Sequence, residues 1–239
     1  MSDIGPDPSP SRAGARGEDM RNRLLDAAID VFSRHGFEGA STRMLARAAG
    51  ANLQAIPYYF GGKEGLYLAA ADYIAGRIRG HVGPVAGRVR ARLAAQDPAL
   101  GGTPLDAAEA GALLAEMLRT AARLMLSPES AHWARFIVSE QMEPTEAFER
   151  IYANVMSPLL ETARSLVGVL MGEDPSSETV RLRTLALLGQ VLVLRVAHAA
   201  VMRQLGWQEV GPREFALIDA MIQRSIGAIG AGYDDGVSP

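Results

Sequence analysis

Apolar side chains recur at helical spacing near the start of the chain. Leu25, Ile29 and Phe32 follow one another at intervals of four and three residues, and Gly36 stands where a helix would end. The pattern predicts a first helix over residues 19–35.

Two short helices separated by a tight turn are predicted next. Thr42 is a residue type that caps helix N-termini, and it opens a helix to about Ala49. Gly50 permits a tight turn, and Asn52 caps a second helix that runs to about Phe60. The order of helix, three-residue turn and helix is that of a helix-turn-helix.

The rest of the chain shows further helical patterns, with Pro or Ser at their starts and Gly at several of their ends. Gly80, Gly83 and Pro84 interrupt the first of these patterns. We expect helices over residues 62–80, 85–95, 103–126, 127–142, 144–171, 176–205 and 212–229. No segment alternates with a period of two, so the sequence predicts an all-α fold.

The first short helix carries groups suited to phosphate. Ser41 and Thr42 lie at its N-terminus, where free backbone amides and the helix dipole favour an anion. Arg43 adds a full positive charge. In a helix-turn-helix the first helix crosses the DNA backbone, so we predict phosphate contacts here.

The second short helix carries groups suited to base edges. Asn52, Gln54 and Ala55 lie in its first turn, which faces the major groove in this motif. Gln54 can donate to and accept from adenine, and Ala55 can contact a thymine methyl group. These residues are the predicted base readers.

Tyr58, Tyr59 and Lys63 complete the predicted DNA-contacting set. The tyrosines have rigid rings that end in hydroxyls, and Lys63 begins the next helix, where its ammonium and backbone amides converge on one phosphate. Lys63 is the single lysine among 24 basic residues. The alternative is that the motif only forms a small helical core, in which the tyrosines pack with Leu45, Ala46, Ala49, Leu53, Ile56 and Phe60.

The string from Ser41 to Leu66 resembles the DNA-binding domain of TetR-type regulators. The resemblance covers about residues 19–75 and rests on the Ser-Thr pair, the Ala-Ala-Gly turn, the Tyr-Phe-x-x-Lys-Glu string and Leu66. It implies a homodimer, in most members a repressor, that binds double-stranded operator DNA and is released by a small-molecule effector. It also implies phosphate contacts by Thr42, Tyr59 and Lys63, and base or nearby backbone contacts by Arg43, Gln54, Ala55 and Tyr58.

One position departs from the family's pattern. Pro57 stands where the family commonly has an aromatic residue, which removes that contact and one backbone amide of the second helix. Further along, HWARFIVSEQMEPTEAFERIY and the leucine-rich helix after it resemble the C-terminal domain of CecR-type members.

These observations predict two domains with flexible ends. We expect a three-helix, helix-turn-helix DNA-binding domain over residues 18–78 and a larger helical domain for effector binding and dimerisation over residues 79–230. Residues 1–17 are rich in Pro, Ser and Gly and bury too little apolar surface to fold, so they are predicted to be a disordered arm. Residues 231–239 are predicted to be a flexible tail.

The helix over residues 178–205 is apolar nearly all round, which a monomer's surface would not tolerate. Paired with the helix over residues 144–171, it predicts a four-helix interface between two subunits. The alternative is that both helices belong only to an internal core. The predicted interface residues are Leu159, Leu166, Leu185, Leu188 and Leu192.

Polar and aromatic side chains on the later helices are candidates for contact with an effector. A ligand site in a helical domain needs a few such groups facing its interior. The candidates are His132, Trp133, Phe136, Glu140, Gln141 and His198.

The composition of the chain limits the classes of function that it can have. The net charge of −3 gives no global nucleic-acid signature, so DNA binding rests on the motif alone. The chain has no cysteine, and its longest apolar run, from Thr184 to Leu194, is too short for a membrane span, so we expect a cytoplasmic protein.

No catalytic or metal-binding motif is recognisable. The four histidines lack paired metal spacing, no Gly-x-Ser-x-Gly is present, and Gly61 to Glu64 lack the frame of a phosphate loop. We therefore expect neither an enzyme nor a cofactor. Two alternatives stay open at this point, an all-α protein-interaction module and an activator, because operator position decides the direction of regulation.

Overall fold

The computed structural model describes residues 12–96 and 102–230. Within these ranges the chain forms helices and no strand, which confirms the predicted all-α fold. The helices are α1 (Arg12–Gly39), α2 (Thr42–Ala48), α3 (Ala55–Phe60), α4 (Lys63–Ala94), α5 (Ala107–Leu126), α6 (Pro128–Met142), α7 (Glu146–Ile151), α8 (Ser157–Met171), α9 (Glu178–Val196), α10 (His198–Leu205) and α11 (Pro212–Gly230).

Helix α1 begins earlier than the sequence indicated. It starts at Arg12, so residues 12–17 are helical and do not belong to an arm. The remainder of the predicted arm and the predicted tail, residues 231–239, lie outside the described residues. Gly36, the predicted stop, has a φ of 67° and a ψ of 178°, and the regular helical geometry of α1 breaks there.

Helix α4 is one helix of 32 residues, whereas the sequence predicted two helices separated near Pro84. Glycine and proline each weaken a helix interior, and proline removes one backbone hydrogen bond. On both sides of Pro84, however, the helix buries Val82, Val85 and Val89. Because packing of an apolar face supplies most helical stability in proteins, it outweighs the local preference here.

Two other predicted helices are divided. The segment predicted over residues 144–171 consists of α7, a π-helical turn at Tyr152–Met156 and α8. The helix predicted over residues 176–205 is bent by 86° between α9 and α10. Helices α5 and α9 begin at Ala107 and Glu178, slightly after the predicted starts at about residues 103 and 176. The side chains of Asp106 and Ser177 cap them by accepting hydrogen bonds from the amides of Glu109 and Val180.

The helices form two compact units. One unit comprises the described residues up to Ile74 together with Arg135–Phe148, and the other comprises Ala75–Ala134 and the described residues from Glu149 onward. The first unit buries Leu25, Phe32, Leu45, Ile56 and Leu66, and the second buries Val89, Leu114, Leu166, Val191 and Ile222. Among the described residues, no single helix is long and apolar enough to cross a membrane, and only the bent pair α9 and α10 meets that test jointly.

Candidate nucleic-acid interface

Helix α2 starts with a capped turn. The hydroxyl of Ser41 accepts a hydrogen bond from the amide of Met44 at 3.2 Å, so Ser41 is the cap and not Thr42 as the sequence predicted. Thr42 is instead the first helical residue. The amides of Thr42 and Arg43, the first two of α2, have no partner within the helix and remain available beside the half-exposed Thr42 and the exposed Arg43 side chains.

The turn after α2 is fastened to α1. Gly50 has a φ of 59°, the left-handed conformation that glycine adopts without strain. The guanidinium of Arg23 donates to the carbonyl oxygen of Ala49 at 2.7 Å, where α2 ends. The side chain of Asn52 accepts a hydrogen bond from the amide of Gln54 at 3.0 Å, but α3 begins at Ala55 with Gln54 as its N-cap, so Asn52 does not cap this helix as the sequence predicted.

Helix α3 has one buried, apolar side and one exposed side. Ile56 is fully buried, whereas Tyr58 is 80% exposed and Gln54 is exposed. Pro57 lies in the first turn of α3, where an amide has no partner within the helix, so it interrupts no bond of the helix. The Tyr58 side chain contacts the Tyr59 ring but remains 80% exposed, so burial in a core does not account for it, which argues against a motif that serves only as a core.

The junction between α3 and α4 places Lys63. Gly61 and Gly62 have φ values of 75° and 142°, and α4 begins at the next residue. The ammonium of Lys63 lies 4.3 Å from the centre of the Phe37 ring. The rings of Tyr58 and Tyr59 meet edge to face with their centres 4.8 Å apart.

All nine predicted DNA-contacting residues keep at least part of their side chain at the surface of the first unit. Six are exposed or half-exposed on α2 and α3 or at the start of α4, and the others lie at the residues that precede α2 and α3. The nine are Ser41, Thr42, Arg43, Asn52, Gln54, Ala55, Tyr58, Tyr59 and Lys63.

Glu140 is buried and accepts several hydrogen bonds, which its neighbours in sequence did not indicate. It is 3% exposed, and one carboxylate oxygen accepts from the amide and hydroxyl of Thr145, at 3.2 and 2.8 Å, and from the amide of Phe148, at 2.9 Å. The other oxygen accepts from the Tyr67 hydroxyl. Burial and this hydrogen bond raise the pKa of Tyr67 well above its usual value. Glu140 thus joins the first unit's part of α4 to the start of α7.

The candidate effector residues differ in exposure. His132 and Gln141 are exposed, while Trp133 and Phe136 are buried. The Nδ1 atom of His198 lies 3.2 Å from the carbonyl oxygen of Leu194, one turn earlier. The buried indole nitrogen of Trp133 has no hydrogen-bond partner.

The second unit contains a small apolar cavity of about 40 Å³. Its wall includes Leu159 and Leu188, two residues that the sequence assigned to a subunit interface. None of the predicted effector residues lines it. The lining residues are Val82, Val85, Leu114, Met117, Leu118, Thr120, Ala121, Leu159, Ala163 and Leu188.

The remaining predicted interface residues differ in exposure. Leu185 and Leu192 are 53% and 49% exposed, but Leu166 is fully buried within the chain and has no surface to offer a partner. Exposed apolar side chains instead continue along α9 and appear on α11. They are Leu182, Leu185, Leu192, Val193 and Val196 on α9 and Leu217 on α11.

Three residues outside the predicted set support it. Arg23 holds the end of α2, Phe37 lies under Lys63, and Tyr67 contacts the Phe37 ring. Each acts across 26 or more residues of sequence, so no local pattern could have found them. Among the described residues, no group of His, Asp or Glu is arranged to hold a metal ion.

Two family models match the chain. The model described as bacterial regulatory proteins of the tetR family matches residues 24–70. The model described as the C-terminal domain of the HTH-type transcriptional dual regulator CecR matches residues 110–233. The two matches fall on the helix-turn-helix and on the later helices, respectively.

Some relatives are similar over most of the chain and others only over its N-terminal part. The chain is 31% identical over 207 residues to the HTH-type transcriptional dual regulator CecR of Shigella flexneri, which covers 87% of this chain and 89% of that protein. It is 46% identical over 57 residues to the HTH-type transcriptional regulatory protein RaaS of Mycobacterium tuberculosis, covering 24% of this chain and 26% of the relative. A TetR-like transcriptional regulator from Rhodococcus sp. RHA1 shares the fold, with a TM-score of 0.62 and 18% identity over 94% of this chain and 100% of that one.

Proposed function

This chain belongs to the TetR family of bacterial transcriptional regulators and has a CecR-type C-terminal domain, and we propose that it represses genes from a palindromic operator. In this proposal it binds the operator in the cytoplasm as a homodimer and is released by a small apolar effector. The observation that carries the proposal is the exposed side of α3, with Gln54 and Tyr58 one helical turn apart.

We assign the DNA contacts by position in the motif. Thr42 and the first amides of α2 bind one phosphate, and Tyr59 and Lys63 bind another. Gln54 reads a base edge in the major groove, with Ala55 against a neighbouring methyl group. The capped ends of α2 and the turn at Gly50 support this assignment because they fix where α2 begins and ends and how the chain turns toward α3.

Replacing Lys63 by alanine is expected to weaken binding to all DNA sequences alike. One phosphate contact is lost from each subunit, so the slope of log affinity against log salt concentration becomes shallower by about 0.9 per subunit. Fluorescence anisotropy with operator and scrambled duplexes at several salt concentrations measures this slope. An unchanged slope would favour the protein-interaction module, for which Lys63 and Tyr59 are dispensable.

Replacing Gln54 by alanine is expected to change base preference instead of general affinity. If the amide makes two hydrogen bonds to one adenine, discrimination at one position of each half-site falls by about 1 to 3 kcal/mol. Competition binding with operators mutated at single positions measures the effect. Equal weakening on every operator would assign Gln54 to the phosphate-contacting group.

The homodimer is supported by the exposed apolar stripe on α9. At 100° per residue, Leu182, Leu185, Leu192 and Val196 fall on one side of the helix, and all four are about half-exposed or more. One side-chain hydrogen bond links the two helices, from the Ser225 hydroxyl on α11 to the side-chain oxygen of Gln190 on α9 at 2.8 Å. We propose that α9 and α11 pair with their copies in a four-helix interface.

The effector is proposed to bind by enlarging the apolar cavity. A cavity of about 40 Å³ is far smaller than the roughly 300 to 1,000 Å³ of typical ligand sites. An apolar ligand therefore fits only if the lining helices separate, and it favours the conformation in which they do. Helix α4 contributes Val82 and Val85 to the cavity lining and has Lys63 at its start. In this proposal, a shift of α4 on ligand binding therefore also moves Lys63 relative to the DNA.

A further inference from the structure

The proposed DNA contacts do not account for the contact between Lys63 and Phe37. The ammonium nitrogen of Lys63 lies 4.3 Å from the centre of the Phe37 ring, within the distance at which a cation is attracted to an aromatic face. The two residues belong to different helices, α4 and α1. Phe37 follows Gly36, whose backbone is not helical. The direction of the Phe37 side chain is therefore not set by the regular geometry of α1.

The Phe37 ring is itself held in place. The ring of Phe32 stacks with it at 6.2 Å between centres, and the ring of Tyr67 meets it at 5.0 Å with an angle of 63°. The Tyr67 hydroxyl donates to the buried carboxylate of Glu140, which fixes the second ring as well. Lys63 therefore rests on a ring that cannot turn away freely.

A lysine side chain is a flexible stem, and each contact that it makes on binding restricts its rotamers. We propose that Phe37 is a positioning residue for DNA binding, which holds the Lys63 ammonium where a backbone phosphate meets it. The ring covers one side of the ammonium and leaves its other side to donate to the phosphate. This inference rests on the proposed function, in which Lys63 contacts DNA.

The first test is a double-mutant cycle on operator affinity. Phe37→Leu keeps an apolar side chain but removes the ring, and we expect it to weaken binding about two- to tenfold, because the cost of fixing the Lys63 rotamers then falls on DNA binding. In the Lys63→Ala background the same substitution is expected to have no effect. Phe37→Tyr retains the ring face and is expected to bind like the parent protein.

The outcomes separate the two hypotheses. An equal effect of Phe37→Leu in both backgrounds would overturn the positioning role while leaving the Lys63 contact intact. No effect of Lys63→Ala on affinity or on salt dependence would instead contradict the phosphate contact itself. A wild-type affinity of Phe37→Leu in the parent background would also overturn the positioning role.

The second test measures whether Lys63 lies over the Phe37 ring in the absence of DNA. Because Lys63 is the single lysine, labelling with ¹³C-lysine gives one set of side-chain signals in an NMR spectrum. A methylene group over an aromatic face is shifted upfield by the ring current, so we expect an upfield Lys63 ε-methylene signal in the parent protein and in Phe37→Tyr. In Phe37→Leu the signal is expected at its ordinary position. An ordinary position in the parent protein would overturn the proposal.

Discussion

Replacing Leu185 by aspartate is expected to give a folded monomer that binds operator DNA about a hundredfold more weakly or worse. Leu185 is 53% exposed, so the substitution leaves the core of its subunit intact. In the proposed dimer, two-fold symmetry would bury two unpaired carboxylates, and like charges at an interface cost several kcal/mol. Loss of the dimer separates the two half-site readers.

Sedimentation velocity measures the oligomeric state of this variant, and anisotropy measures its operator affinity. A matched control is Met142→Asp, which replaces an apolar side chain that is 78% exposed on α6 and belongs to the first unit. The control is expected to remain a dimer with parental affinity. A dimeric Leu185→Asp variant with parental affinity would mean that the subunits meet elsewhere or do not need to meet.

Replacing Glu140 by alanine is expected to lower the free energy of unfolding of the first unit by about 3 to 5 kcal/mol, because several buried donors lose their acceptor at once. The carboxylate accepts from the hydroxyls of Tyr67 and Thr145 and from the amides of Thr145 and Phe148. Alanine leaves these donors without their acceptor, and a buried donor without a partner costs about 1 to 3 kcal/mol.

Native-state hydrogen exchange of buried amides in the first unit, such as those of Phe32 and Leu45, measures the change. Tyr67→Phe is the matched control, since it removes one hydroxyl, keeps the ring and leaves the three other donors on Glu140. We expect this control to cost about 1 to 2 kcal/mol. A loss below about 1 kcal/mol for Glu140→Ala would show that other acceptors or water replace the carboxylate.

The DNA-binding motif was largely predictable because its signals are local. The serine cap of α2, the glycine turn and the asparagine that precedes α3 each act within a few residues of sequence. Two details were wrong, the choice of Thr42 over Ser41 as the cap of α2 and the start of α3, which begins at Ala55 and is not capped by Asn52. Two adjacent hydroxyl residues carry nearly the same local preference for the cap.

The parts that depend on distant residues were not predictable from one sequence. Pro84 reads as a break, and only the burial of valines on both sides of it explains why α4 continues. Leu166 and Leu185 look alike as leucines in apolar helices, yet one is fully buried and the other 53% exposed. The Tyr67–Glu140 contact spans 73 residues and leaves no trace in any local pattern.

The central claim is that the dimer recognises one palindromic DNA sequence. The most direct measurement is affinity capture of fragmented genomic DNA of the source organism by the purified protein at physiological salt, followed by sequencing of the retained fragments. We predict enrichment of one inverted repeat, with half-sites separated by whole helical turns of about 10 base pairs each, upstream of a few genes. Retention of DNA without any shared sequence would contradict the claim.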